Sequence, residues 1–209
     1  MSDSLRQLLM EGAAELGLPL SDTIADSLLE YMHILRQWNE RLNLTAITDP
    51  EAMVRLHLLD SLAIAKVLIG PRLLDVGTGA GLPGIPLALI YPQWSFVLLD
   101  SNSKKTAFLL QMKATLGLKN VEVVHSRMEN YVSPLLFSDI MARAVSDLRD
   151  IVDKTRALLQ KNGQWVLMKG QYPEQELLAL QRPFSVQSLS IPGVDVNRHV
   201  VVIKGENGG

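Results

Sequence analysis

The chain has no cysteine. That absence excludes disulfides, thiolate-ligated zinc, iron–sulfur clusters and any reaction that needs a cysteine nucleophile. Long hydrophobic runs are also missing. The apolar stretch 82–91 falls well short of the roughly 18 residues a membrane-spanning helix requires. The opening residues, Met1 to Arg6, lack the basic-then-apolar pattern of an export signal. The expectation is a cytoplasmic protein with no membrane contact, in which Asn43-Leu44-Thr45 matches a glycosylation sequon only by chance. Histidine is sparse, and His33, His125 and His199 are scattered along the chain, so no metal site is expected.

What is present fits a globular protein of one domain plus a modest extension: 209 residues, 47% hydrophobic and 20% charged. The net charge of −2 is unevenly spread, with −6 over residues 1–65 and +4 over 66–209. A basic second part suits a phosphate-bearing partner, although an ordinary solvated surface accounts for it as well.

Residues 4–17 have helical spacing and close at Gly17 and Pro19. Ser21 or Asp22 can cap a second helix. Its apolar stripe is Ile24, Leu28, Met32 (with Tyr31), Leu35, Trp38 and Leu42. Thr48-Asp49-Pro50-Glu51 has the form of a capping box and opens a third helix to about residue 68. Residues 1–68 are therefore predicted to form a helical extension, 69–206 the main domain and 207–209 a flexible tail. From residue 72 the period changes. Strands are expected at 72–76, 94–99, 121–125, 138–142, 164–168, 184–191 and 199–204, with helices at 84–91, 103–117, 147–160 and 173–181. This alternation predicts an α/β Rossmann-like sheet with helices on both faces and an antiparallel hairpin at its edge.

The main chemical signal is Asp75-Val76-Gly77-Thr78-Gly79-Ala80-Gly81-Leu82-Pro83-Gly84. Glycines between a strand and a helix let backbone approach a ligand closely. The string Gly79-x-Gly81-x-x-Gly84 satisfies the dinucleotide fingerprint. A better frame sets Asp75 at the strand end, two residues before Gly77, where methyltransferases use an acid near the amino-acid part of S-adenosylmethionine. Asp100 closes the next strand, at the place where a carboxylate can accept both ribose hydroxyls. Up to this point S-adenosylmethionine and NAD fit alike.

Several segments together resemble the bacterial 16S ribosomal RNA guanine-N7 methyltransferases, the glucose-inhibited division protein B family. They are Trp38-Asn39, Asn43-Leu44-Thr45, Arg55-x-His57-Leu58-Leu59-Asp60-Ser61, Asp75 through Pro86, Leu99-Asp100-Ser101, Ser126-Arg127-Met128-Glu129, Ala142-Arg143-Ala144, Lys169-Gly170-Gln171 and Arg198-His199. The resemblance covers nearly the whole chain. It implies a class I methyltransferase fold, S-adenosyl-L-methionine as the methyl donor, and N7 of one guanosine of 16S rRNA (position 527) as the acceptor. Its cofactor contacts carry over to Gly77, Leu82, Met128, Glu129 and Arg143, to which the glycine and ribose arguments add Gly79 and Asp100. The family often has a smaller or branched residue at Met128 and a serine at Ala142. Arg127, Lys169 and Arg55 are candidates for RNA contact. The implied partner is 16S rRNA, and the low overall charge favours a small ribosomal subunit or assembly intermediate over free RNA, bound by a monomer.

Guanine N7 carries a lone pair and no proton, so alignment can do most of the work and no residue is assigned as a general base. After the fourth strand, Ala142-Arg143-Ala144 replaces the Pro-Pro-aromatic run of amino-group methylases, and without cysteine covalent pyrimidine methylation is excluded. Arg143, at a strand end, can bond the cofactor carboxylate, the guanine O6, or Asp147 or Asp139 in a salt bridge. His57, Asp60 and Ser61 lie too close together on one helix for a hydrolase relay and suit a hydrogen-bond network instead. Trp38 and Trp165 are expected in the core. Three other readings stay open: a small-molecule methyltransferase with the extension as a lid, a cofactor sensor without turnover, and an NAD-dependent oxidoreductase. The last lacks a Tyr and Lys four apart on one helix.

Overall fold

The computed structural model describes residues 3–144, 147–195 and 197–205. The tail expected at 207–209 lies outside them. The chain opens with α1 (Asp3–Glu15) and α2 (Asp22–Leu42). Ser21 caps α2, its hydroxyl accepting the amide of Ile24 at 3.4 Å. The predicted stripe faces inward: Leu28, Tyr31, Met32 and Leu35 are buried, and Ile24, Trp38 and Leu42 pack around them. The helix ends where Asn43 turns left-handed at φ 49, which asparagine tolerates better than most residues.

The third helix departs from expectation. Its cap is Asp49, whose Oδ2 accepts the amide of Ala52 at 2.8 Å, because Pro50 occupies the first helical position and leaves Thr48 one residue too early. After α3 (Pro50–Met53) the backbone widens into a π-helical segment, Val54–Leu59, before α4 (Asp60–Leu62). A 3-10 turn at Ala65–Val67 completes the region that was expected as one helix to residue 68.

Among the described residues seven strands follow: β1 (Arg72–Val76), β2 (Ser95–Asp100), β3 (Val121–His125), β4 (Phe137–Arg143), β5 (Leu159–Lys169), β6 (Phe184–Ser188) and β7 (His199–Lys204). They lie in the order β3-β2-β1-β4-β5-β7-β6. The pairs from β3 to β5 are parallel, while β7 runs antiparallel to both β5 and β6. The expected hairpin is therefore present, with β7 inside the sheet and β6 at its edge. Strand β5 starts at Leu159, where helix was expected. Asn162 holds a left-handed φ of 63 there, and the β4–β5 register shifts between Phe137 and Asp139. The helices between strands are α5 (Gly84–Ile90), α6 (Ser103–Thr115), α7 (Leu148–Thr155) and α8 (Glu174–Leu178).

Strict alternation explains why the strands read as unbroken apolar runs. On β2, Phe96 and Leu98 enter one buried cluster and Val97 and Leu99 the other. On β7, Val200 and Val202 face the first cluster, and Val201 and Ile203 the second. The first cluster also contains Leu9, Leu28, Leu35 and Leu58, so the N-terminal helices cover one face of the sheet. The second contains Leu148, Ile151 and Leu177 from α7 and α8. Trp165 belongs to it, buried, with its ring N–H on Thr155 Oγ1 at 2.9 Å.

Candidate functional site

Strand order reverses at β1, whose neighbours are β2 and β4. In an open α/β sheet the crevice beyond the carboxyl ends of the strands at such a switch point is where ligands bind. A cavity of about 560 Å³ lies there. Gly77, Gly79, Leu82, Asp100, Met128, Glu129 and Arg143, the cofactor candidates from the sequence, all line it. They come from the ends of four strands.

The floor is the loop after β1. Gly77, Gly79 and Gly81 have φ of 63, 61 and 88. The loop is tied down from three directions. Asp100 Oδ2 accepts the amide of Gly79 at 2.9 Å, and its Oδ1 accepts the amide of Asn102 at 2.8 Å. Tyr31 of α2 donates its buried hydroxyl to the carbonyl of Ala80 at 2.8 Å. Asp75 accepts from Thr78 Oγ1 at 2.6 Å and from the amide of Gly84 at 2.9 Å, both on Oδ2. This last contact corrects the expected role of Asp75. It is fully buried beneath the loop and is not part of the cavity wall, so it shapes the loop and caps α5.

Burial pushes the Asp75 carboxyl up to about 7, outweighing the bonds from Thr78 and Gly84 and the field of Arg143, which act the other way. His57 is shifted oppositely, down to about 4, by burial and then by the Arg143 charge. A neutral His57 matches its bonds: Nδ1 donates to the carbonyl of Leu56 at 3.1 Å, and Nε2 accepts from Thr45 Oγ1 at 2.8 Å. The two groups give opposite pH dependences. The folded chain holds the Asp75 proton that the unfolded chain loses near 3.8, so this contribution to stability falls as pH rises from there to about 7. The folded chain lacks the His57 proton that the unfolded chain gains below 6.5, so this contribution falls as pH drops toward 4. Asp75→Asn removes the first effect alone. We expect its melting temperature, relative to wild type, to be higher at pH 8 than at pH 5 by roughly 3 °C or more. A difference that does not change with pH would show that Asp75 is ionised throughout.

Arg143 finds neither salt-bridge partner expected for it. Nη1 donates to Asp60 Oδ2 at 3.0 Å and to the carbonyl of Leu56 at 3.1 Å. Asp139 instead staples β4 to the chain before β1, accepting the amides of Ile69 and Gly70 at 3.2 and 2.8 Å. The Leu56 carbonyl lies in the π-helical segment, where widened turns shift the ladder and release acceptors. Nothing in the local sequence signals that widening. It brings His57, only 4% exposed, to the cavity wall, a placement sequence patterns do not show. Lys105 was also missed, its Nζ 4.0 Å from Asp100 Oδ2.

A second cavity of about 300 Å³ adjoins the first, sharing His57, Arg143 and Ala144 as walls. Its other walls include Ile47, Leu56, Met168, Leu189 and Arg198. Ala144, at the junction, has a left-handed φ of 53, a conformation an L side chain adopts at a cost. Of the RNA candidates, Arg127 stands on the rim of the first cavity with its side chain 73% exposed, 3.8 Å from Glu129. Lys169 lines the second cavity and pairs with Glu176 at 2.7 Å. Arg55 is turned toward the β6–β7 connection, donating to the carbonyl of Pro192 at 3.1 Å. No group of three or more His, Asp or Glu that could hold a metal occurs among the described residues.

A cradle of positive-φ glycines, a carboxylate closing the neighbouring strand and an antiparallel β7 inside an otherwise parallel core define the class: a Rossmann-like S-adenosylmethionine-dependent methyltransferase. A SAM-dependent methyltransferase from Aquifex aeolicus shares the fold, with a TM-score of 0.58 and 19% identity over 78% of this chain and 97% of that one. The chain belongs to the GidB family, described as rRNA small subunit methyltransferase G, whose model matches residues 24–201. A ribosomal RNA small subunit methyltransferase G of Coxiella burnetii (strain RSA 331 / Henzerling II) is 43% identical, covering 98% of this chain and 100% of the relative. That of Pseudomonas syringae pv. tomato is 45% identical, covering 95% of each.

Proposed function

We propose that this chain transfers a methyl group to N7 of a guanosine, position 527, in 16S ribosomal RNA, working as a cytoplasmic monomer on the small ribosomal subunit or an assembly intermediate. Relatives matched over 95% or more of their own length carry the name of an rRNA small subunit methyltransferase. One observation of the structure carries the proposal. A polar, glycine-floored cavity meets a smaller one walled in part by apolar side chains, and among the described residues His57, Arg143 and Ala144 line both.

The residues present fit S-adenosylmethionine. A Cβ at Gly79 would meet no atom closer than 3.9 Å, so the glycine leaves open space on the cavity side. A carboxylate accepts about four hydrogen bonds, and Asp100 spends two on backbone amides, leaving capacity for two ribose hydroxyls. Met128 would pack against the adenine, Glu129 would bond it, and the backbone at Gly77 would lie along the methionine end. When bound, the cofactor supplies a sulfonium-activated methyl group.

The chain's own part is alignment. The apolar side of the second cavity, formed by Ile47, Leu56, Met168 and Leu189, shields the acceptor purine from water, and Arg143, at the junction, can donate to its O6. No base is required, since N7 has no proton to lose. His57 is neutral and committed to Thr45 and Leu56, so it serves as a wall.

The test is isotopic methyl transfer from S-adenosylmethionine to free 16S RNA and to purified small subunits in parallel, with the product located by strand cleavage at 7-methylguanosine. Incorporation into the subunits at a single guanosine is expected. No incorporation into either substrate would end the proposal. Faster methylation of free RNA, with a steep salt dependence, would count against the assembled particle.

A further inference from the structure

We infer that Asp60, contributed by the N-terminal helices, is a positioning residue for the methyl transfer, holding Arg143 and Arg198 around the second cavity. The carboxylate is 2% exposed. Its Oδ2 accepts from Arg143 Nη1 at 3.0 Å and its Oδ1 from Arg198 Nε at 3.1 Å. The two arginines come from distant parts of the chain, one ending β4 and the other preceding β7, and all three residues line the same cavity. Arg143 also faces the cofactor cavity. Asp60 is thus the shared partner through which both guanidiniums are fixed relative to the junction.

Its charge matters as much as its geometry. Two guanidiniums and one carboxylate give this cluster a net charge of about +1; without the carboxylate it would be about +2. Methyl transfer makes the purine cationic: N7 gives its lone pair to the new N–CH3 bond, the S–CH3 bond breaks with its electrons going to sulfur, the sulfonium charge passes to the purine, and no proton departs. A wall bearing two unopposed positive charges would resist that change. With Asp60 in place, the arginines keep N–H donors for the acceptor while much of their field is offset. Each guanidinium has five N–H groups. Asp60, Leu56 and Asn197 take only two from each. Both carboxylate oxygens of Asp60 are taken up by the arginines, so it acts through them.

The inference rests on the proposed transfer to 16S rRNA, so the wild-type chain is assayed first on small subunits. Asp60→Asn keeps the shape and removes the charge. A roughly 100-fold fall in kcat is expected, the size associated with a reactant misplaced by about 1 Å. The subunit KM and the S-adenosylhomocysteine dissociation constant should each stay within about 3-fold, and Asp60→Glu should recover part of the rate. A merely structural role would instead weaken cofactor binding and melting temperature together while sparing the turnover of the folded fraction. If Asp60→Asn does not fold, Arg198→Gln decides, because it leaves the Asp60–Arg143 pair matched; a roughly 10-fold loss in kcat with unchanged cofactor affinity is expected. With an active wild type, a kcat within about 3-fold in folded Asp60→Asn, or in Arg198→Gln if that variant decides, would overturn the inference alone. An inactive wild type would overturn the functional proposal, and this inference with it.

Discussion

Asp100→Ala should weaken S-adenosylmethionine binding by about 100-fold, close to 2.7 kcal/mol. Two losses add. The side chain, 6% exposed, closes β2 at the cavity wall, and its removal takes away the carboxylate that, on the proposed cofactor placement, accepts the ribose hydroxyls. It also strands the amide of Gly79, held at 2.9 Å, so the loop that forms the cavity floor loses its tie to the second strand. A fully buried donor left without a partner costs about 1–3 kcal/mol, and the half-buried Gly79 amide falls at the low end of that range. Asp100→Asn separates the contributions, since an amide oxygen can still receive Gly79 while the charge is lost; about 10-fold weaker binding is expected. Calorimetry with S-adenosylhomocysteine reads both variants. If Asp100→Ala binds within 3-fold of wild type, the carboxylate serves only the loop, and the ribose is held elsewhere.

Residues that depend on near neighbours were legible in the sequence, and those that depend on distant ones were not. Strand β1 lies at 72–76 as expected, because an apolar run ending in glycines has few other local solutions. The glycine loop, Asp100, Met128 and Glu129 all follow strand ends, so placing the strands placed them too. Arg143 was legible as a residue of the crevice, yet its partner was not: Asp60 is 83 residues earlier, beyond any periodicity. Asp75 misled because its position relative to Gly77 is the same whether it faces the ligand or lies under the loop. Only packing decides, and here Thr78 and Gly84 draw it inward. The π-helical turn at Val54–Leu59 has no compositional signature, since the same apolar spacing suits an ordinary helix. With it went the exposure of the Leu56 carbonyl and the placement of His57 at the junction of the cavities.

Two glycines of the loop should respond to alanine in opposite ways. At Gly81, φ is +88 and a Cβ would stand 2.5 Å from Ile85 Cδ1 and 2.9 Å from Leu109 Cδ2. Both neighbours are fully buried and have nowhere to move. Backbone strain of about 1–3 kcal/mol adds to overpacking of similar size. Gly81→Ala should therefore lose about 4 kcal/mol and roughly 10 °C in melting temperature. At Gly79, with φ +61, a Cβ meets nothing nearer than the Gly77 carbonyl at 3.9 Å, so only the left-handed backbone is penalised, by about 1 kcal/mol. On the proposed cofactor placement, its Cβ nevertheless enters the space the cofactor needs. Gly79→Ala should stay folded, melting within roughly 4 °C of wild type, while cofactor affinity drops by about 10-fold or more, near 1.4 kcal/mol. Thermal unfolding and calorimetry on the pair separate packing from cradle. Unchanged cofactor binding in a folded Gly79→Ala protein would mean that this stretch of backbone does not face the ligand, and the cofactor would have to lie nearer β3 than the loop.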